Sequence, residues 1–356
     1  MERRKTKQVR VGGIFIGGNA PVSVQGMAKV SSGDLPSLIR QVGAMVRAGA
    51  ELVRIAVLRK EEAAAIAVLK TRFSVPLVAD IHYDHRCALA AIAAGADKIR
   101  INPGNMKRAG LKSVVAACRE RNVPLRIGIN SGSIPIRGSL AKSMARAALE
   151  SVRFFEDLDF FSLVLSLKTP HVGNTVAAYR AVADRCAYPL HLGVTEAGSG
   201  LAGEVKSVLG IGCLLQEGIG DTLRVSLTDS VVREILVGKE ILQAAGLRRF
   251  SPEIISCPTC GRIQVDVIGM ARKVKKGVER LARAHPAVNG LTIAVMGCSV
   301  NGPGEARQAD IGIAGGRGKF ALFERGDIVG TYPEDTILRI LLKRIERLAE
   351  GKQADD

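Results

Sequence analysis

The sequence predicts an α/β protein: a (β/α)8 barrel followed by a smaller α/β domain. Three observations carry that expectation. Eight short apolar runs alternate with helical stretches over residues 22–245. A break at Leu247-Arg-Arg-Phe-Ser-Pro252 ends the rhythm, and the pattern changes beyond it. The chain, at 356 residues, is long for one ordinary domain and suits a barrel plus a small unit. The expected division is 1–249 for the barrel and 250–356 for the second domain.

The strand candidates, in order, are Val22–Met27, Leu52–Val57, Pro76–His82, Lys98–Asn102, Leu125–Asn130, Leu163–Lys168, Leu190–Thr195 and Thr222–Leu227. Amphipathic stretches follow, among them Leu35–Ala48, Glu61–Thr71, Leu111–Glu120 and Val231–Ala245. Eight even βα units favour closure over an open doubly wound sheet. Past the break comes Cys257-Pro-Thr-Cys260-Gly, then a basic helix candidate from Gln264 to Ala284 and a strand over Leu291–Met296. A Gly-rich loop, Gly297-Cys298-Ser-Val-Asn-Gly-Pro-Gly304-Glu305, leads to short strands around Ile311–Ala314 and Phe320–Phe323. A hairpin near Gly326 and a helix from Glu334 to about Glu350 close the chain.

Apolar residues make up 47% and charged residues 24%, which excludes a disordered chain. The longest strongly apolar stretch, Cys87 to Ala96, is too short to cross a bilayer, and no apolar run of signal-peptide length follows the basic start. A cytoplasmic protein with no membrane partner is expected. The net charge is +17, and +13 of it precedes Cys257. Such a surplus points to an anionic partner: nucleic acid, a phosphorylated metabolite or an acidic protein. Aromatic residues are only 4%, with no Trp, which leaves few stacking platforms for single-stranded nucleic acid. Seven cysteines without a secretory signal do not read as a disulfide framework. Cys87, Cys118, Cys186 and Cys213 lie in apolar helical stretches and read as small buried hydrophobes.

Polar residues at the carboxyl ends of barrel strands are the informative ones, because chemistry on this fold sits there. Residues i and i+2 of a strand share a face. Asp80 and His82 are so paired, as are Arg100 and Asn102, Arg126 and Asn130 by their even spacing, and Arg224 and Ser226. Arg54 lies within Val-Arg-Ile-Ala, Lys168 ends strand six and Glu196 follows strand seven. Five cations, Arg54, Arg100, Arg126, Lys168 and Arg224, face two acids, Asp80 and Glu196. A mouth with that surplus calls for an anion, and arginine forks suit phosphate oxygens. His82 beside Asp80 reads as a hydrogen-bond or proton donor. His85, His171, His191 and His285 lack such company and read as structural.

In the second domain Cys257 and Cys260 are spaced to grip one metal or cluster edge, and the same spacing serves a zinc knuckle or a redox pair. Cys298 on its Gly-rich loop adds a third thiolate. His285 and Glu305 are the candidate fourth ligands. A Cys3Glu set would leave one labile oxygen ligand on a cluster that binds substrate.

CPTCGR followed by MGCSVNGPGEA resembles the 4-hydroxy-3-methylbut-2-enyl diphosphate synthase family. So do VRVGGIFIGG, LVADIH, IRINPGN, LRIGINSGS, LHLGVTEAG and GIGDTLRVSLT, so that the resemblance spans nearly the whole chain in the bacterial two-domain form. It implies reductive ring opening and dehydration of 2-C-methyl-D-erythritol 2,4-cyclodiphosphate, with two electrons passing through a [4Fe–4S] cluster. It implies Cys257, Cys260, Cys298 and Glu305 as cluster ligands. Arg54, Arg100, Arg126, Lys168 and Ser226 match diphosphate-holding positions, while Asp80, His82, Asn102, Asn130 and Glu196 match the polar lining, Glu196 as the acid near the cluster. Two segments depart from the family pattern: the Gln25-Gly-Met-Ala-Lys-Val30 run and Thr169-Pro-His171 after Lys168. No roles are assigned to Gln25, Met27, Thr169 or His171.

A helix of about 16 residues from Ser230 runs roughly 24 Å, from the mouth to the opposite end of the barrel. The short linker then delivers the second domain to the wrong end of its own barrel. A head-to-tail homodimer, each cluster domain capping the partner's mouth, resolves this, and the resemblance implies the same arrangement. No flavin or nicotinamide fingerprint is present, so electrons come from outside; the resemblance implies a flavodoxin or a ferredoxin, both typically acidic. Two other readings compete: a pterin-binding-like barrel transferase with a structural zinc domain, and a basic RNA-binding module.

Overall fold

The eight apolar runs form eight parallel strands, and an additional hairpin precedes them. The computed structural model describes residues 2–298 and 309–353. The chain divides into two units, Met1–Arg248 and Arg249–Asp356.

The hairpin is β1 (Val9–Val11) and β2 (Ile14–Ile16), paired antiparallel. The parallel strands are β3 (Ser23–Met27), β4 (Leu52–Ala56), β5 (Leu77–Asp80), β6 (Lys98–Ile101), β7 (Leu125–Asn130), β8 (Leu163–Lys168), β9 (His191–Leu192) and β10 (Thr222–Leu223). Their spatial order is β8-β7-β6-β5-β4-β3-β10-β9. A parallel bridge between Leu165 and Leu190, with the Leu165 N–H donating to Pro189 O at 2.9 Å, joins the two ends. The sheet therefore closes into a barrel. Helices α1 (Leu35–Ala48), α2 (Ala64–Arg72), α3 (His85–Ala93), α4 (Arg108–Glu120), α5 (Leu140–Glu156), α6 (Val172–Ala183), α7 (Gly200–Gln216) and α8 (Val231–Ala244) connect them.

Local chemistry starts several of these helices. Asp34 accepts from Ser37 N at the start of α1, Asp84 from Arg86 N at α3, and Ser230 from Arg233 N at α8. Gly49, at φ 93°, ends α1 in the left-handed conformation that glycine adopts without strain. Two of the early cysteines depart from expectation: Cys87 and Cys118 are buried, but Cys186 lies past α6 half-buried and Cys213 is exposed on α7. Alanine and glycine neighbours make all these stretches apolar in sequence, which hides which face looks outward.

The barrel interior is layered. Leu52, Val78 and Val164 lie two residues before Arg54, Asp80 and Ser166, so each pair shares the inner face. Val9, Val11 and Ile16 of the hairpin pack on them in one buried cluster. The hairpin thus closes the amino-terminal end with an apolar floor and leaves the carboxyl end for polar groups. The last two strands are shorter than expected. The named strand β10 ends at Leu223, although Arg224 N still donates to Leu192 O at 3.0 Å; Ser226 stands past it, and Thr228 N bonds Gly198 O instead of a strand.

The second unit is a five-stranded sheet in the order β11 (Glu253–Ser256), β12 (Thr292–Met296), β13 (Ile311–Gly316), β14 (Lys319–Glu324), β15 (Asp327–Pro333). The first three are parallel and the last two antiparallel. Val267, Met270, Val274 and Val278 of α9 (Val267–Ala284) join Ile337, Leu341 and Ile345 of α10 (Glu334–Gln353) over Ile293, Val295, Ile311, Ile313 and Phe320. Each such buried side chain contributes about 1.5–3 kcal/mol. β11 goes beyond the expected elements, because Glu253–Ser256 reads as linker, while β14 and β15 form the hairpin expected near Gly326.

Candidate active site

Every expected cation of the barrel except Arg224 sits on a strand, and the five interact in one charged cluster around Asp80, Arg126 entering it from the second position of β7. Asp80 is 1% exposed. Its carboxylate lies 3.2 Å from Arg100 Nη1, 3.8 Å from Arg54 Nε and 3.2 Å from His82 Nε2. Burial works against its ionisation, yet Arg54, the His82 hydrogen bond and Arg100 together hold it well below the usual carboxylate range. Burial lowers Arg54 to about 10, with Asp80 opposing and Arg224 and Arg100 adding to the fall. Arg126 and Lys168 are pushed well down by burial and by their fellow cations.

Glu196, expected among the acids of the mouth, is not the carboxylate that meets Arg224. Glu196 is exposed on a turn at φ 52°. Glu234 of α8, 2% exposed, takes that place: its Oε1 lies 3.5 Å from Arg224 Nη2 and 3.1 Å from Lys29 Nζ, and accepts from Leu227 N. The expectation missed it because a helix residue carries no strand-end signal. Asn102 is buried and caps a short turn, accepting from Gly104 N at 3.2 Å. Asn130 ends β7 half-buried, opposite Lys168 of β8 in register. Ser226 is half-buried.

Four further features join the site. Gln25 Oε1 accepts from Arg126 Nη1 at 3.2 Å, and Arg54 Nε lies 3.0 Å from Met27 Sδ, so the departing first strand does orient two cations. A Cβ on Gly128 would run into the Arg100 guanidinium, and one on Gly193 would lie 2.7 Å from Lys168 Nζ. These glycines clear the space the two cations occupy. Beneath them, Lys98 and His191 are fully buried, and Lys98 Nζ and both His191 ring nitrogens lack a hydrogen-bond partner among the described residues. Burial, then Lys168, Arg126, Lys98 and Arg54, drive His191 well below its usual value. The reading of His191 as an ordinary structural histidine therefore falls short: it lies in the cation field of the site. Thr169 and His171 serve locally, the Thr169 hydroxyl donating to His171 O at 2.7 Å and meeting Thr175 Oγ1 at 3.1 Å.

In the second unit the parallel pairing sets Ser256 beside Val295, so Cys257 and Gly297-Cys298 follow at adjacent carboxyl strand ends. A Cβ on Gly297 would stand 2.5 Å from Val267 Cγ2, so the missing Cβ makes room for the start of α9; Cys257 Sγ lies 3.5 Å from the same position, which puts that sulfur beside the strand end bearing Cys298. Thr259 N–H points to Cys257 Sγ at 3.4 Å. Cys298 is buried, while Cys260 is exposed in the turn that follows β11. Glu305 and the Ser-Val-Asn-Gly-Pro-Gly segment before it lie outside the described residues. Among the described residues no three Cys, His, Asp or Glu side chains form a metal-binding group. The donors present still suit an iron–sulfur cluster: soft sulfurs at bare strand ends, one already accepting a backbone N–H.

Fold and site together define a parallel α/β-barrel protein whose mouth gathers buried cations, joined to a cysteine-bearing α/β domain. The chain belongs to the GcpE family: the GcpE TIM-barrel domain matches residues 6–239, and the GcpE protein C-terminal domain matches 253–347. It is 45% identical over 98% of its length to the 4-hydroxy-3-methylbut-2-en-1-yl diphosphate synthase (flavodoxin) of Ruminiclostridium cellulolyticum, covering 99% of that protein. It is 46% identical to the protein of that name from Geobacter sulfurreducens, covering 98% of this chain and 99% of the relative. Among solved structures, dihydropteroate synthases from Stenotrophomonas maltophilia and Xanthomonas albilineans align at TM-scores of 0.53 and 0.52. Each covers 68% of this chain and nearly all of the neighbour, at 16% and 15% identity, and shows the shared barrel fold alone. Among the described residues no helix is long and apolar enough to cross a membrane.

Proposed function

We propose that this protein reductively opens 2-C-methyl-D-erythritol 2,4-cyclodiphosphate and dehydrates it to (E)-4-hydroxy-3-methylbut-2-enyl diphosphate. Its full-length identity to synthases of that name carries the reading. Five convergent barrel cations fit the diphosphate, and a pterin transferase with structural zinc or an RNA module has no comparable support.

Arg54, Arg100, Arg126, Lys168 and Arg224 hold the diphosphate, with Ser226 at their rim. Its negative charge replaces the missing counter-charge of the buried cations, and binding at this non-reacting end positions the reacting carbon. Asp80 keeps Arg54 and Arg100 fixed beforehand, so little reorganisation is needed at the moment of reaction. His82, bonded to Asp80, and Asn102 and Asn130 line the polar wall. Glu196 serves as acid for the oxygen that departs as water. Cys257, Cys260, Cys298 and Glu305 would hold a [4Fe–4S] cluster, which when bound supplies two electrons singly and a Lewis-acidic iron. Residues Met1–Arg248 are the substrate domain and Arg249–Asp356 the cluster domain. A homodimer in which each cluster domain caps the partner's mouth excludes water from the reaction. Flavodoxin is the favoured electron donor over ferredoxin, since the relatives carry its name.

The test is anoxic purification, reconstitution with iron and sulfide, and incubation of the cyclic diphosphate with a viologen reductant. Brown protein with about four irons per chain and conversion to the open-chain diphosphate are expected. Colourless, zinc-bearing protein, or an untouched cyclic compound, overturns the reading.

A further inference from the structure

Helix α9 carries more net charge than the rest of its unit. It holds six basic residues, Arg272, Lys273, Lys275, Lys276, Arg280 and Arg283, against one acid, Glu279. From Cys257 onward the chain has sixteen basic and twelve acidic residues; without α9, ten and eleven remain. The surplus is therefore local to one helix.

It is also local to one face. The buried positions Val267, Met270, Val274 and Val278 recur at helical spacing and turn toward the sheet. At 100° per residue, Arg272, Lys276, Arg280 and Arg283 form the opposite stripe, with Lys273 and Lys275 on its flanks. All six are exposed, and among the described residues none forms an ion pair. Exposed cations outside α9 are mixed: Arg86, Arg180 and Arg233 each have a carboxylate within 2.8 Å, whereas Arg72, Arg121 and Arg146 have none among the described residues; what sets α9 apart is six such cations on one face. Ile268, 54% exposed and one turn before Arg272, adds an apolar spot at the near end of the stripe.

That near end abuts the cysteine-bearing strand ends. Val267, the first residue of α9, packs where a Cβ of Gly297 would stand, next to Cys257 Sγ and one residue before Cys298. Arg272 lies about 7.5 Å further along the helix axis. An unpaired cationic stripe beginning at a redox centre suits a transient encounter with an acidic protein, where charge steers approach and a small apolar contact completes docking.

We propose that the solvent face of α9, from Ile268 to Arg283, is the docking surface for an acidic flavodoxin-class electron donor. This rests on the proposed function. Each encounter passes one electron from the donor's reduced flavin to the enzyme, leaving the donor oxidised by one electron. Two encounters supply the two electrons of a turnover.

The experiment compares holoenzyme with the variant Lys273→Glu/Lys276→Glu/Arg280→Glu, driven either by a reduced bacterial flavodoxin or by a reduced viologen. A neutral variant, Lys273→Ala/Lys276→Ala/Arg280→Ala, covers the case in which charge reversal impairs folding. On α10, Lys343→Glu/Arg347→Glu is the control for charge alone. The expected result is a KM for flavodoxin raised about tenfold or more at low ionic strength, converging with wild type at high salt. Viologen-driven turnover and the α10 control remain unchanged. Binding of oxidised flavodoxin to the holoenzyme, measured by calorimetry without turnover, weakens in parallel. An unchanged flavodoxin KM overturns the proposal and leaves α9 as a merely solvated face. Equal loss with both reductants, together with an altered oligomeric state, overturns it in favour of a contact between copies of the chain. Wild-type protein inactive with viologen would instead sink the proposed function, whatever the calorimetry shows.

Discussion

The two units present functional groups in the same kind of place, the carboxyl ends of parallel strands, but they prepare them differently. In the barrel, Asp80, Arg54 and Arg100 are locked together by ion pairs and burial. In the second unit, Cys257 is half-buried and Cys260 exposed, and among the described residues the Thr259 N–H is what holds the Cys257 sulfur. A site that binds a soluble anion must be shaped in advance. A site that a resident cofactor completes can take its final order from that cofactor.

Cys257→Ala gives the sharpest break of that contrast. It should abolish iron retention and turnover while leaving barrel unfolding unchanged, followed by iron analysis and by denaturation of the two units. Asp80→Asn strikes the barrel instead: with Arg54 and Arg100 left buried without their counter-charge, urea unfolding should show a loss of roughly 3 kcal/mol or more. If Asp80→Asn costs nothing, the barrel mouth is not preorganised by its ion pairs. Gly128→Ala is gentler. The added methyl displaces the Arg100 guanidinium, costing about 1–3 kcal/mol and raising the KM for the cyclic diphosphate more than it lowers kcat.

The smallest effect is in pH dependence. His191 is held neutral when folded, whereas the unfolded chain takes up its proton near the ordinary value of 6.5. The unfolded state therefore binds more protons below that pH, and stability falls as pH drops. The slope from this one group approaches about 1.4 kcal/mol per pH unit. His191→Asn should flatten the stability curve between pH 6.5 and about 5 by that slope, and an unaltered curve would show that His191 titrates in the folded protein.

The strand-end residues Arg54, Asp80, Arg100, Arg126 and Lys168 were legible because a period of two marks the inward face and the barrel places its chemistry at one end. Cys257 and Cys298 were legible from residue type and a Gly-rich setting. Glu234 was not, since nothing in its helix distinguishes it from a surface acid. Lys98 and His191 escape notice for a related reason: each looks like an isolated polar residue until closure places it among the other cations. The apolar floor under them needed residues 9–16 to fold back on strands from residues 52, 78 and 164.

By itself the chain determined its barrel rhythm, its surplus of cations at the barrel strands and its pairing of Cys257 with Cys260, because spacing and residue type are local properties. Which charge faces which across the barrel, the space that Gly128 and Gly193 leave for Arg100 and Lys168, and the meeting of Gly297 with the Cys257 sulfur were decided only by tertiary structure. The physical reason is that electrostatic energy and excluded volume depend on distance in space, and closure of a sheet brings together residues far apart in sequence.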